Sequence, residues 1–166
     1  PPELSLDPNW PDQAEGAVLL RRISSAATAQ KLILIDTQDV CPGDCARAAE
    51  AMGLCKSEMR GRISSFLGML AKKLLRKFPE RTFFMTGGDT LMGFMECIAC
   101  GTLQLVCELE SGVVVSELPL DGGRSLQVVT KAGGLGGEQA VVRAARALIA
   151  EESRESRHKK QSGKEI

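Results

Sequence analysis

Apolar positions change their spacing several times along this chain of 166 residues, and each change predicts an element. Ala14, Ala17, Val18, Leu20 and Ile23 recur at helical intervals between Asp12 and Gln30. Lys31-Leu32-Ile33-Leu34-Ile35-Asp36 is then a short continuous apolar run rich in branched residues. Such a run predicts a strand buried on both faces, with Thr37 to Gly43 as the loop at its carboxyl end. Asp44 stands where a cap would open a short helix to Met52, stopped by Gly53. A longer helix opens near Ser57, and its apolar stripe runs through Ile63, Phe66, Leu67, Leu70, Leu74 and Phe78. Arg62, Lys72, Lys73, Arg76 and Lys77 crowd its other side, which reads as a solvated face rather than a binding patch.

Downstream the period shortens again. Thr82 to Met85 predicts a strand, followed by a glycine turn and a helix of apolar and cysteine residues to Cys100. Leu103 to Leu109 predicts another strand, which Gly112 separates from Val113-Val114-Val115. Pro119 with Asp121-Gly122-Gly123 reads as a turn. Leu126 to Thr130 is a strand ending in a second glycine turn, and Val141, Val142, Ala145, Leu148 and Ile149 mark an amphipathic helix. Strands alternating with helices predict an α/β fold: a mostly parallel sheet with helices on both faces and the glycine-rich loops at its carboxyl edge. Residues 1–11 form an extended proline-rich lead-in, 12–150 the domain, and 151–166 a polar tail expected to be disordered.

The two glycine turns carry the candidate chemistry. The first reads Thr86-Gly87-Gly88-Asp89-Thr90, the second Lys131-Ala132-Gly133-Gly134-Leu135-Gly136-Gly137. A strand that ends in glycines and opens a helix presents bare backbone N–H groups at the positive end of the helix dipole, which suits phosphate. Thr86 and Thr90 offer hydroxyls. Asp89 either caps its helix or holds a magnesium ion through water. Lys131 would set a positive charge beside an anion. Two such junctions at one sheet edge point to a ligand with several phosphates.

Composition narrows the field. A hydrophobic fraction of 43% supports a packed core, and Lys+Arg and Asp+Glu balance at 21 each. No global field recruits nucleic acid or an acidic membrane surface, so any anion site must be local. No apolar run reaches bilayer length and no signal-peptide pattern opens the chain, so a cytoplasmic protein without nucleic-acid or membrane partners is expected. A start at Pro1-Pro2 is what a piece of a longer chain would show. Of the six cysteines, Cys41 and Cys45 are spaced C-x3-C and Cys97 and Cys100 C-x2-C, and the one histidine, His158, lies in the tail. Reduced, mostly buried thiols fit this pattern better than a zinc site.

The common nucleotide signatures are absent. Gly163-Lys164 precedes Glu165 rather than the hydroxyl a P-loop requires, and the dinucleotide fingerprint begun at Gly134-Leu135-Gly136 fails at Gln139. Instead, Thr86-Gly87-Gly88-Asp89-Thr90 resembles the T/A-G-G-D/E-T loop of the nucleotide-binding C-terminal domain in four-carbon acid sugar kinases. Lys131 to Gly136 resembles that domain's second loop, K-S/A-G-x-F-G, and Glu110-Ser111-Gly112-Val113 resembles its short P-G-V-P segment. The likeness runs from about Lys31 to Ile149. It implies ATP-dependent phosphorylation of a hydroxyl on a threonate-, erythronate- or oxo-tetronate-type acid, with ATP lying between this domain and a separate N-terminal sugar-acid-binding domain. Gly87 to Thr90 and Gly133 to Gly136 would contact the phosphates, and Gly112 would shape a neighbouring part of the pocket. Leu135 departs from the family's aromatic, Ser111 and Val114 stand for prolines, and the family's upstream G-S-x-S segment has no counterpart. No residue stands out as the catalytic base. A dinucleotide-binding domain of an oxidoreductase and a non-catalytic regulatory module are the alternatives.

Overall fold

The computed structural model describes residues 14–35, 37, 43–120, 122–135, 137 and 139–150. The lead-in, the tail and Cys41 therefore lie outside the described residues. The elements follow in the order α1 (Ala14–Ala29), α2 (Asp44–Ala51), α3 (Lys56–Lys77), β1 (Phe83–Thr86), α4 (Gly88–Cys97), β2 (Gln104–Glu110), β3 (Val113–Leu120) and β4 (Arg124–Lys131). A fifth helix, α5, occupies residues 140–150. Helix α3 opens at Lys56, one residue earlier than its apolar stripe suggests, because Cys55 caps it and donates its backbone N–H to Glu58 Oε2 at 2.7 Å. Asp44 is the first residue of α2 rather than its cap, which falls on Gly43.

The four strands form one sheet in the order β1-β4-β3-β2. Here the expectation of a mostly parallel sheet is corrected: β1 pairs β4 in parallel, but β2–β3 and β3–β4 are antiparallel. Two short turns are the reason. Ser111-Gly112 and residues 121–123 leave too few residues for a crossover, and connections this short can only fold the chain back on itself. Pro119 lies within β3 instead of in the turn, opposite Ser125. It is tolerated there because the pairing of β2 with β3 stops at Gln104 opposite Glu117, so no strand lies on that side of Pro119 to require its missing N–H.

The strand expected over Lys31 to Asp36 does not form among its described residues, 31–35, which join no sheet. Apolar content alone does not bury a strand. Among the described residues no element covers this run, and Leu34 is 82% exposed. Its start is held by Arg81, whose guanidinium donates to the carbonyls of Ala27 and Lys31 at 2.9 and 3.1 Å.

Alternation along the strands sends two sets of side chains to opposite faces. Met85, Leu118, Leu126 and Val128 pack against Phe94 and Met95 of α4. Val113, Val115 and Val129 pack against Ala140 and Ala144 of α5. Helices thus cover both faces. A third cluster, Phe66, Leu70 and Leu74, joins α3 to Leu19, Leu20 and Ile23 of α1. Ser116 is completely buried between these strands, and its hydroxyl has no hydrogen-bond partner.

The α3–α4 contact is unusually close because two glycines meet there. A Cβ on Gly68 would stand 2.3 Å from the Gly93 carbonyl oxygen, and one on Gly93 2.5 Å from that of Ser64. Gly93→Ala is therefore expected to force the helices apart and lower unfolding stability by about 2 kcal/mol or more, read as a fall in the urea midpoint without a change in its slope.

Candidate functional site

The parallel register of β1 with β4 sets Thr86 opposite Lys131, so both glycine turns leave the sheet at one level. The antiparallel register of β3 with β4 sets Val113 opposite Lys131 as well, which brings the Ser111-Gly112 turn to the same edge. Two backbone hydrogen bonds join the three segments: Gly87 N–H donates to the Lys131 carbonyl at 3.1 Å, and Ala132 N–H donates to the Gly112 carbonyl at 3.2 Å. Segments up to 45 residues apart in the sequence, from Thr86 to Lys131, thus share one edge.

Each turn is shaped by its own residues. Gly87 has φ 91 and ψ 135, a conformation that L side chains rarely adopt, and it serves as N-cap of α4. The N–H groups of the next residues, Gly88 to Thr90, form the first turn of that helix and have no acceptor within it. Asp89 is exposed and lies within this first turn, not at the cap position considered for it, which falls on Gly87. Thr86 is exposed and Thr90 half-buried.

Gly112 answers a different need. Its φ is 78, and a Cβ there would stand 2.6 Å from Leu135 Cβ. Leu135 of the second loop therefore rests on the bare backbone of the β2–β3 turn, and the Gly112 N–H donates to Glu108 Oε1 at 3.0 Å. By contrast, a Cβ on Gly88, Gly133 or Gly134 would meet nothing within 4 Å, and none of the three has a positive φ. The fold does not require glycine at these places. They leave uncovered backbone at the edge, open to close approach. Gly136 lies outside the described residues.

Lys131 is half-buried, and its ammonium turns back on its own loop, donating to the carbonyls of Ala132 at 3.0 Å and Gly133 at 3.4 Å. The cation thus stands at the edge but is engaged with the loop. Among the described residues, no group of three or more His, Cys, Asp or Glu side chains is placed to hold a metal ion. The described cysteines, Cys45, Cys55, Cys97, Cys100 and Cys107, are each exposed or half-buried, which corrects the expectation of mostly buried thiols.

Sequence reasoning missed the brace beneath the site. Arg143 of α5 grips Glu110 at the end of β2 with a two-pronged bond, Nε–Oε2 at 2.8 Å and Nη2–Oε1 at 2.9 Å. The hydrogen bonds from Arg143 hold the Glu110 carboxyl below the ordinary carboxylate range. Glu110 is visible in the Glu110-Ser111-Gly112-Val113 motif, whereas no local pattern picks out Arg143 as its partner 33 residues later.

A family model described as a nucleotide-binding C-terminal domain matches residues 2–141. The D-threonate kinase of Bordetella bronchiseptica is 34% identical over 82 residues, which make up 49% of this chain and 20% of that protein. A crystal structure from Bordetella bronchiseptica, described as a domain of unknown function with bound citrate in a domain-swapped dimer, superposes with a TM-score of 0.54 at 24% identity. That likeness covers 87% of this chain and 32% of the other, and it shows the shared fold. The chain spans well under half the length of either relative.

The two kinds of glycine should separate on substitution. Gly112→Ala, strained in φ and pressed against Leu135, is expected to cost about 1–3 kcal/mol of stability, whereas Gly134→Ala should change it by less than about 0.5 kcal/mol, both by denaturant titration. A pH dependence follows from Glu110. Its folded pKa is lowered, so its contribution is complete above the unfolded carboxylate pKa and is lost as pH falls through the folded one. From about pH 6 to about pH 3, thermal melting should show a smaller stability loss for Glu110→Gln than for the wild type.

Proposed function

This chain belongs to the nucleotide-binding C-terminal domain family of the four-carbon acid sugar kinases, and on that footing we propose that its glycine edge binds ATP with magnesium. Residues 12–150 are the folded domain of this reading. The observation that carries it is the joining of three segments at one edge, with uncrowded backbone at Gly88, Gly133 and Gly134. The β- and γ-phosphates would lie across the first turn of α4, where Gly87, Gly88, Asp89 and Thr90 offer N–H groups and the helix dipole favours negative charge. Gly133, Gly134, Leu135 and Gly136 would close over the other side. Thr86 and Thr90 add hydroxyl donors, and Gly112 holds the second loop in place through Leu135. Lys131 would exchange its two loop carbonyls for a phosphate oxygen. Asp89 would reach magnesium through a water molecule.

Phosphoryl transfer depends chiefly on positioning and on stabilising charge at the transferring group, which amides, a lysine and a metal ion supply. The phosphate would pass to a hydroxyl of a four-carbon sugar acid of the threonate, erythronate or oxo-tetronate type. A C-terminal domain implies a partner domain before it, and in this proposal that N-terminal domain presents the acid. The fragment alone would bind nucleotide and turn over little. The dinucleotide alternative is disfavoured because β4 follows β3 through a hairpin, so the second loop does not stand in a βαβ unit.

Calorimetry with Mg-ATP tests the reading. A Cβ on Gly88 meets nothing in the fold, so Gly88→Val should remain folded yet bind Mg-ATP at least tenfold more weakly than the wild type. A wild type that does not bind, or a variant that binds equally well, overturns it.

A further inference from the structure

Helix α3 carries seven lysines and arginines against one acid, Glu58. Two neighbours divide its surface. Helix α1 covers Phe66, Leu70 and Leu74, while α4 lies against Ser64 and Gly68 and accepts the Lys72 ammonium on its Cys97 carbonyl at 2.6 Å. Between them Arg62, Met69, Lys73 and Arg76 recur at i, i+7, i+11 and i+14, one outward stripe of the helix. Arg62 and Arg76 are exposed, and among the described residues neither forms an ion pair. Both α1 and α3 end beside Arg81: α3 stops at Lys77, and the Arg81 guanidinium donates to the carbonyls of Ala27 and Lys31. The two helices therefore run in the same general direction, which places Ala14, the start of α1, toward the Arg62 half of α3.

The stretch before Ala14 has the opposite character. Residues 1–13 hold Glu3, Asp7 and Asp12, no lysine or arginine, and the apolar Leu4, Leu6 and Trp10. We propose that this lead-in docks along the basic stripe of α3, its carboxylates facing Arg62, Lys73 and Arg76 and Trp10 laid against Met69 and a guanidinium plane. The charges match in scale: at the rise of a proline-rich chain Glu3 and Asp12 are about 28 Å apart, and Arg62 and Arg76 are about 21 Å apart along a helix. An arginine fork takes a carboxylate in two bonds, and tryptophan is the strongest aromatic partner for a cation. One exposed ion pair contributes little. Several pairs on a segment already tethered at Ala14 act at high effective concentration, which favours this occupant over an external polyanion. A C-terminal domain implies a domain before it. Because α3 fixes α4 through Gly68 and Gly93, docking would set the side from which that domain meets the glycine edge. This consequence rests on the proposed partner domain, whereas the docking itself does not.

Trp10 is the only tryptophan and the chain has no tyrosine, so fluorescence reports the docking directly. The wild type should emit to the blue of a peptide of residues 1–13 and resist quenching by acrylamide. Arg62→Glu with Arg76→Glu should move the emission to that of the peptide and remove the protection, with the far-ultraviolet dichroism unchanged because both positions are exposed. Sodium chloride at about 1 M, where charges are screened beyond about 3 Å, should do the same to the wild type. Arg62→Lys with Arg76→Lys should keep most of the protection. A wild type that emits and quenches like the peptide overturns the proposal, and so does protection that survives both the charge reversal and the salt.

Discussion

The carboxyl end of β4 carries the arrangement on which the rest depends. On one side the Gly87 N–H donates to the Lys131 carbonyl, and on the other the Ala132 N–H donates to the Gly112 carbonyl. The strand is parallel to β1 and antiparallel to β3, so it alone can bring a strand-to-helix turn and a hairpin turn to the same level. Side chains contribute around this backbone frame: Leu135 rests on Gly112, Glu108 accepts from the Gly112 N–H, and Arg143 holds Glu110 against α5. Buried residues of the strands, Val113, Val128 and Val129 among them, keep the frame in register from both faces.

Glycine serves three separate purposes in this small domain. Gly87 and Gly112 adopt conformations other residues avoid. Gly68 and Gly93 let two helix backbones touch, which fixes where α4 lies and hence where its first turn points. Gly88, Gly133 and Gly134 answer neither need. Backbone left bare at no benefit to folding is what close approach of a ligand requires, and it lies at the edge where the helix dipole favours anions.

The candidate site was legible in the sequence to a considerable degree, because its parts are local. Strand, glycines and helix follow one another within a few residues at Thr82–Leu91 and again at Leu126–Val141, and such junctions are read from spacing alone. Their meeting at one edge was also legible, since both turns end strands that run in parallel. The brace between Glu110 and Arg143 was not, for it joins two elements with no shared periodicity. Nor was the close approach of α3 to α4, which depends on Gly68 and Gly93 meeting across the two helices.

Local spacing by itself determined the helices α1 to α5, the strands β1, β2 and β4, and the glycine turns, since hydrophobic period and turn chemistry act over a few residues. The family likeness, too, rested on short motifs in order. Strand direction and burial were decided by the tertiary structure. The hairpins at Ser111-Gly112 and at residues 121–123 made the sheet mixed, and Lys31 to Ile35, apolar enough for a core strand, stayed largely exposed because no element among the described residues covers it. Whether an apolar segment is buried depends on what packs against it, and that partner lies elsewhere in the chain.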